Sequence, residues 1–162
     1  MAVDMFLKIE GVEGESSDHA HEGEIDVLAW SWGVTQSGTM HLARGGGAGK
    51  ANVQDLTVTK YIDSASPNLM LACCNGKQYA TADLVCRKAG GDEQVEYLKV
   101  EMENVIITSV STGGSIGDDR QTEAVTLNFA KFKVTYTPQD NDGSPLPEIG
   151  PVGWDIQKNE EI

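Results

Sequence analysis

"TEAVTLNFAKFKVTY", Thr122 to Tyr136, decides how this chain folds. Val125, Leu127 and Phe129 recur at every second position, the period of a strand with one buried face. An amphipathic helix would space them by three and four. At Ala130-Lys131 the phase changes, and Phe132, Val134 and Tyr136 take over the apolar positions. Such a slip predicts a β-bulge or a strand that serves two packed layers.

The same period runs outward in both directions. In "QVEYLKVEMENVIITSV" (94–110), Leu98, Val100 and Met102 oppose Lys99, Glu101 and Glu103. In "VDMFLKI" (3–9), Val3, Met5, Leu7 and Ile9 oppose Asp4, Phe6 and Lys8. "NVQDLTVTKYI" (52–62) and "YATADLVCRK" (79–88) read as further strands, and "VGWDIQKN" (152–159) as a last short one. "GEIDVLAWSWGV" (23–34) reads as one strand with no cleanly polar face. Only "SASPNLMLACCNGK" (64–77) reads as helix, with Ser66 as N-cap, Pro67 at the first helical position and Gly76 past the end. Turn-forming runs separate these segments. The pattern predicts a mainly β chain, a two-sheet β-barrel or sandwich with one short α-helix, forming a single domain over 1–162.

Composition narrows the function classes. The chain carries 12 Lys plus Arg against 25 Asp plus Glu, a formal charge of −13. Such a surface repels phosphate backbones and anionic lipid, so no nucleic-acid partner and no membrane insertion are expected. No apolar run reaches the length of a membrane-spanning helix. "MAVDMFLKIEGVEGE" shows no basic segment followed by an apolar one, so a cytoplasmic pool without a signal peptide is expected. Cys73, Cys74 and Cys86 are odd in number and lack CxxC spacing, which argues against a disulfide framework.

"MHLARGGGAGKANVQ" (40–54) looks like a phosphate-binding loop, but such a loop needs Gly-x-x-x-x-Gly-Lys-Ser/Thr ahead of a helix. Arg44 stands at the first glycine position, Ala51 replaces the hydroxyl, and a β-like segment follows. A flexible connection between strands is the reading that remains. His19 and His21, with Cys73, Cys74 or Cys86, match no zinc spacing and lie in a polar, loop-like stretch. His41 stands alone beside the glycines. Asp118-Asp119 and Glu160-Glu161 fit solvated turn and tail positions. Cys73 in an apolar helix fits a buried, inert thiol better than a nucleophile. No constellation supports catalysis, so the chain is read as a non-enzyme with no cofactor and no metal.

Taken together, "MAVDMFLKI", "GEIDVLAWSWGVTQSGTMH", "GGGAGKANVQDLTVTKYID", "SPNLMLACCNGK", "RKAGGDEQVEYLKVEMENVIITSVSTGGS" and "TEAVTLNFAKFKVTY" resemble the Hcp family, the hemolysin-coregulated proteins of type VI secretion systems. The likeness covers nearly the whole chain. It implies a two-sheet barrel with one helix, homohexameric rings and their stacking into a hollow tube. It also implies a contractile sheath and a VgrG spike as partners, export through the system itself, and small effector proteins held in the lumen. A dedicated effector carrier or secreted binding protein on the same ring scaffold is the alternative.

By position, the likeness implies that Ser31 faces the lumen and contacts cargo. It implies that Arg44, Gly45, Gly46, Gly47, Gly49 and Lys50 form a loop reaching a neighbouring subunit or ring. Thr112, Gly113 and Gly114 fall in a second loop near a ring face. Cys74, Cys86 and Arg44 depart from the residues expected there, as does the proline-bearing stretch 138–151.

Overall fold

The computed structural model describes residues 3–42, 44, 46–90 and 93–162. In chain order the strands are β1 (Val3–Ile9), β2 (Ile25–Asp26), β3 (Ala29–Ser31), β4 (Val34–Gly38), β5 (Ala48–Val53) and β6 (Leu56–Tyr61). After helix α1 (Ser66–Asn75) come β7 (Gln78–Gly90), β8 (Glu93–Gly113), β9 (Thr122–Tyr136), β10 (Ile149–Asp155) and β11 (Glu160–Glu161). Among the described residues nine strands form one sheet, in the order β11-β10-β9-β8-β7-β1-β2, with β6 and β3 branching from β9. β4 and β5 form a separate antiparallel hairpin. The fold is mainly β with one short helix, as the alternation predicts. The sheet does not close into a barrel, and it wraps its apolar face as an open sandwich.

β9 explains the phase slip. Its first half, 122–127, pairs with β6, whereas 131–136 pairs on the same edge with β10. The strand therefore serves two parts of the sheet, and the change of partner falls at Ala130, whose carbonyl accepts the Ile156 amide at 2.8 Å. No residue is inserted into β9 there, because Lys131 opposes Glu103 and Phe129 opposes Val105 in one continuous register. Opposite Ala130 in that register, Asn104 of β8 sits at φ 54°, in the left-handed region that Asn tolerates better than most residues. A register shift in β8 lies further on, between Ile107 and Ser109. Phe129 and Phe132, three residues apart on β9, both reach the Trp32 ring, at 6.0 and 4.9 Å between centroids.

The inward positions form one core. Leu7, Ile9, Leu56, Val58, Leu84, Val100, Met102, Val105, Val125 and Leu127 are essentially without solvent contact. Each such side chain contributes about 1.5–3 kcal/mol on burial. Leu69 and Ala72 of α1 pack against the same cluster. The helix starts one residue earlier than predicted: Ser66 is its first residue, and Ala65 is an N-cap without a side-chain hydrogen bond. Asp63 substitutes, its Oδ1 accepting the Ala65 amide at 3.0 Å. Gly76 closes the helix at φ 68°, donating its amide to the Ala72 carbonyl. Among the described residues no helix is long and apolar enough to cross a membrane.

Two predicted strands are each divided. "GEIDVLAWSWGV" becomes β2, β3 and the start of β4, and "NVQDLTVTKYI" becomes the end of β5 and then β6. The break has a local cause. The Trp32 indole donates to the Gln54 carbonyl at 2.8 Å, and the Gln54 amide donates to the Gly33 carbonyl at 2.9 Å. These bonds tie the two chain segments at the base of the β4–β5 hairpin, where the chain leaves the main sheet.

Candidate functional site: a hydroxyl-lined sheet face

Ser31 ends β3 and is exposed. It pairs with Thr57 of β6, Thr57 pairs with Thr126 of β9, and Thr126 pairs with Ser109 of β8. Four hydroxyl-bearing residues thus cross four strands in one row on the outward face. The Thr57 and Thr126 hydroxyls hydrogen-bond to each other at 3.0 Å. The next row runs Ala29, Thr59, Ala124 and Ser111. At the border, Asp55 accepts from the Thr108 hydroxyl at 2.9 Å and from the Asn128 amide at 2.8 Å, so both its oxygens are occupied.

The inward side of these strands accounts for the absence of charge outside. Lys60 and Glu123 are the only charged residues on Ala29–Ser31, Leu56–Tyr61, 106–113 and 122–128. They are cross-strand partners, both fully buried, and they form an ion pair. Asp63 Oδ1 lies 2.9 Å from the Lys60 ammonium, and the Ser66 hydroxyl donates to Glu123 at 2.5 Å. Alternation and pairing together leave the outward side of these strand segments without a charged residue of their own within a chain of −13, and Arg120 over Tyr61 and Asp118 beyond β8 mark its far end.

The glycine-rich segment is part hairpin tip and part strand. Gly49 and Lys50 lie in β5, with Ala51 opposite Gln36 and Ala48 opposite Gly38, while Arg44 and Gly46 are exposed at the hairpin tip and Gly47 is half-buried there. Gly45 lies outside the described residues. The Thr39 hydroxyl and amide both donate to the Gly47 carbonyl, at 2.9 and 3.0 Å, closing the tip. A Cβ on Gly46 would stand 2.9 Å from the Thr39 carbonyl oxygen, which makes glycine a steric requirement there; at Gly47 nothing lies within 4 Å. Met40 and Leu42 at the tip are exposed, Met40 by 79%.

The second predicted loop is also shorter than expected. Thr112 and Gly113 are still in β8, opposite Glu123 and Thr122, and only Gly114 lies in the turn. The β8–β9 ladder is held to its end, and Asp118 then accepts the Ser115 amide at 3.1 Å.

The stretch 11–24 departs most from its sequence reading. His21 is buried, not displayed on a polar loop. Its ring stacks on Phe6 at 4.2 Å, and its nitrogens lie 2.7 Å from Glu24 and 2.8 Å from Glu96. The Arg87 guanidinium also lies over the Phe6 ring, 4.9 Å from its centroid, and donates to Asp18 at 2.6 and 3.0 Å and to Asp4 at 3.1 Å. The hydrogen bonds from Arg87 hold the Asp18 carboxyl well below the usual carboxylate range. A histidine taken by two carboxylates is not offered to a metal, and among the described residues no three His, Cys, Asp or Glu side chains form a metal cradle. The three thiols differ: Cys74 is exposed, Cys73 half-buried and Cys86 buried. The helix therefore does not enclose both of its thiols.

Beside the open β-sandwich, its hydroxyl-lined face and its separate hairpin, likeness to known proteins sets this chain among type VI secretion components. The family model described as "Type VI secretion system effector, Hcp" matches residues 6–136, and the chain belongs to the Hcp family. It is 61% identical to Protein hcp1 of Pseudomonas aeruginosa over 161 residues, 98% of either chain. A solved type six secretion system protein superposes with a TM-score of 0.93 at 32% identity, covering 99% of this chain and 100% of its own. Hcp1 from Salmonella typhimurium gives 0.77 at 38% identity, with both chains fully covered.

Proposed function

We propose that this chain is a tube subunit of a type VI secretion system. Six copies close into a ring, and rings stack into a hollow tube within a contractile sheath and behind a VgrG spike. Small effector proteins ride in the bore. The role is mechanical, not catalytic, the whole chain acts as one domain, and it leaves the cytoplasm as part of the machine it builds. The observation that carries this reading is the open sheet. β2, β3 and β11 each pair on one side only among the described residues. An exposed strand edge must be blunted, covered or joined to another chain. Val34 at the base of the hairpin and Val152 on β10 are about half exposed, and they flank an apolar groove of about 350 Å³ that includes Phe132 and Trp154. Edges and apolar surfaces at different places on one chain favour a heterologous, head-to-tail contact, which closes into rings.

In this reading Ser31 faces the bore, the segment Arg44, Gly45, Gly46 and Gly47 meets a neighbouring subunit or ring, Gly49 and Lys50 hold the hairpin stem, and Thr112, Gly113 and Gly114 stand near a ring face. Negative-stain imaging of the purified protein tests the proposal. Rings with a central hole are expected; a strictly monomeric species by light scattering at micromolar concentration overturns it.

A further inference from the structure

We infer that the bore recognises its cargo through the whole transverse row Ser31, Thr57, Thr126 and Ser109, and that the partner is a small protein presenting an uncharged, hydrogen-bonding surface. The inference rests on the proposed placement of Ser31 in the bore, and it extends that placement from one residue to four strands. The row spans about 14 Å, three interstrand spacings. Ser31 and Ser109 are exposed and the two threonines half-exposed, so all four reach a partner laid on the sheet.

Chemistry selects the class of partner. Each hydroxyl has one donor and two acceptor positions. The Thr57–Thr126 bond consumes one donor and one acceptor of that pair. A donor and several acceptors stay available, held in fixed directions because each hydroxyl orients the other. The row itself carries no charge: Lys60 and Glu123 are turned inward and paired, Asp55 is already satisfied by Thr108 and Asn128, and Arg120 over the Tyr61 ring and Asp118 in the hollow with Thr59 and Ser111 stand further along the face. None of the 25 acidic residues of the chain stands in the row. Charge therefore does not recruit the cargo here. Amide, hydroxyl and backbone groups on the partner do, each bond being modest and the row supplying several.

The probe is a purified small protein whose export is lost when the secreting strain carries Ser31→Gln. Its binding to assembled rings is measured for wild type, S31Q, T57V and T126V, at about 0.15 M and 0.5 M NaCl. Valine keeps the β-branched shape and removes only the hydroxyl, so the strands persist, and a thermal melt checks this. T57V and T126V are each expected to weaken binding about fivefold, the worth of one neutral hydrogen bond. The dissociation constant is expected to change less than about threefold with salt, because screening acts on charges. If S31Q weakens binding but T57V and T126V do not, the row is wrong while Ser31 keeps its place in the bore. A tenfold salt effect overturns the uncharged partner. If no small protein loses export in the S31Q strain, or S31Q rings bind the probe as wild type does, the placement of Ser31 falls, and the row with it.

Discussion

Lys60 and Glu123 face each other across β6 and β9, and neither side chain retains any solvent contact. Asp63 and Ser66 complete the cluster, so the ammonium has three oxygen partners. A buried ion pair gains little over a well-packed apolar pair, but removing one member strands the other charge away from water. Lys60→Met is expected to destabilise the fold by about 3–5 kcal/mol. The double variant K60M/E123L should recover more than half of that loss. Denaturant titrations of the two variants and wild type decide the matter. Equal losses in the single and double variants would show that the pair serves only as filler.

Two aspartates should respond to substitution with opposite signs. The Arg87 hydrogen bonds depress the Asp18 carboxyl, so its contribution to stability is full above the ordinary aspartate value of about 3.9 and is lost as pH falls below it. Asp18→Asn therefore lowers the melting temperature at pH 7, and the deficit shrinks below about pH 4. Asp83 is raised, first by burial and then by Glu101 and Glu24, against the lowering effect of Lys99 and Lys8. Its folded state favours the proton, so ionisation costs stability at neutral pH and costs nothing once both states are protonated. Asp83→Asn raises the melting temperature at pH 7 and has no effect below about pH 4. Thermal melts across that range, with both variants moving the same way, would refute the assignment.

The mainly β class, the helix and most strand positions could be read from the chain because period-two alternation records which face meets the core. Leu7, Val100 and Leu127 each occupy the inward position that the pattern assigns. Alternation does not record the partner of each edge. The split of 52–62 into β5 and β6 depends on Trp32 reaching Gln54, a contact between residues 22 apart in sequence. His21 was missed for a similar reason. Its partners Phe6 and Glu96 lie far away along the chain, and a polar stretch looks the same whether it is solvated or pinned. Ser31 in "LAWSWG" is singled out by the family likeness alone, and the row it heads exists only through strand pairing. Lys60 and Glu123 gave a usable signal, single charges at apolar positions of otherwise alternating strands.

Thiol chemistry should follow burial. Cys74 is exposed on α1, Cys73 is half-buried, and burial pushes the Cys86 thiol up, which lowers its thiolate fraction at neutral pH. A maleimide is expected to label Cys74 first, Cys73 more slowly and Cys86 only on unfolding, as followed by peptide mass spectrometry. Rapid labelling of Cys86 in the folded protein would contradict its place in the core. In assembled rings, protection of Cys74 would further show that α1 lies in a contact.

The hairpin separates assembly from folding most cleanly, because it pairs only with itself. A Cβ at position 46 meets the Thr39 and Leu42 carbonyl oxygens at 2.9 and 3.2 Å, and backbone atoms cannot swing aside as a side chain would. Gly46→Ala must therefore displace the tip that carries Met40 and Leu42. Gly47→Ala meets nothing within 4 Å and serves as the matched control. The core residues touch neither position, so both variants are expected to melt within about 1 kcal/mol of wild type, the ordinary range for surface changes that leave the core intact. Only G46A should lose ring stacking, seen as short or absent tubes by negative stain and as reduced secretion. The contrast between two adjacent glycines removes composition and general flexibility as explanations. If G46A and G47A assemble alike, the tip is a connector and the contact between rings lies elsewhere on the chain.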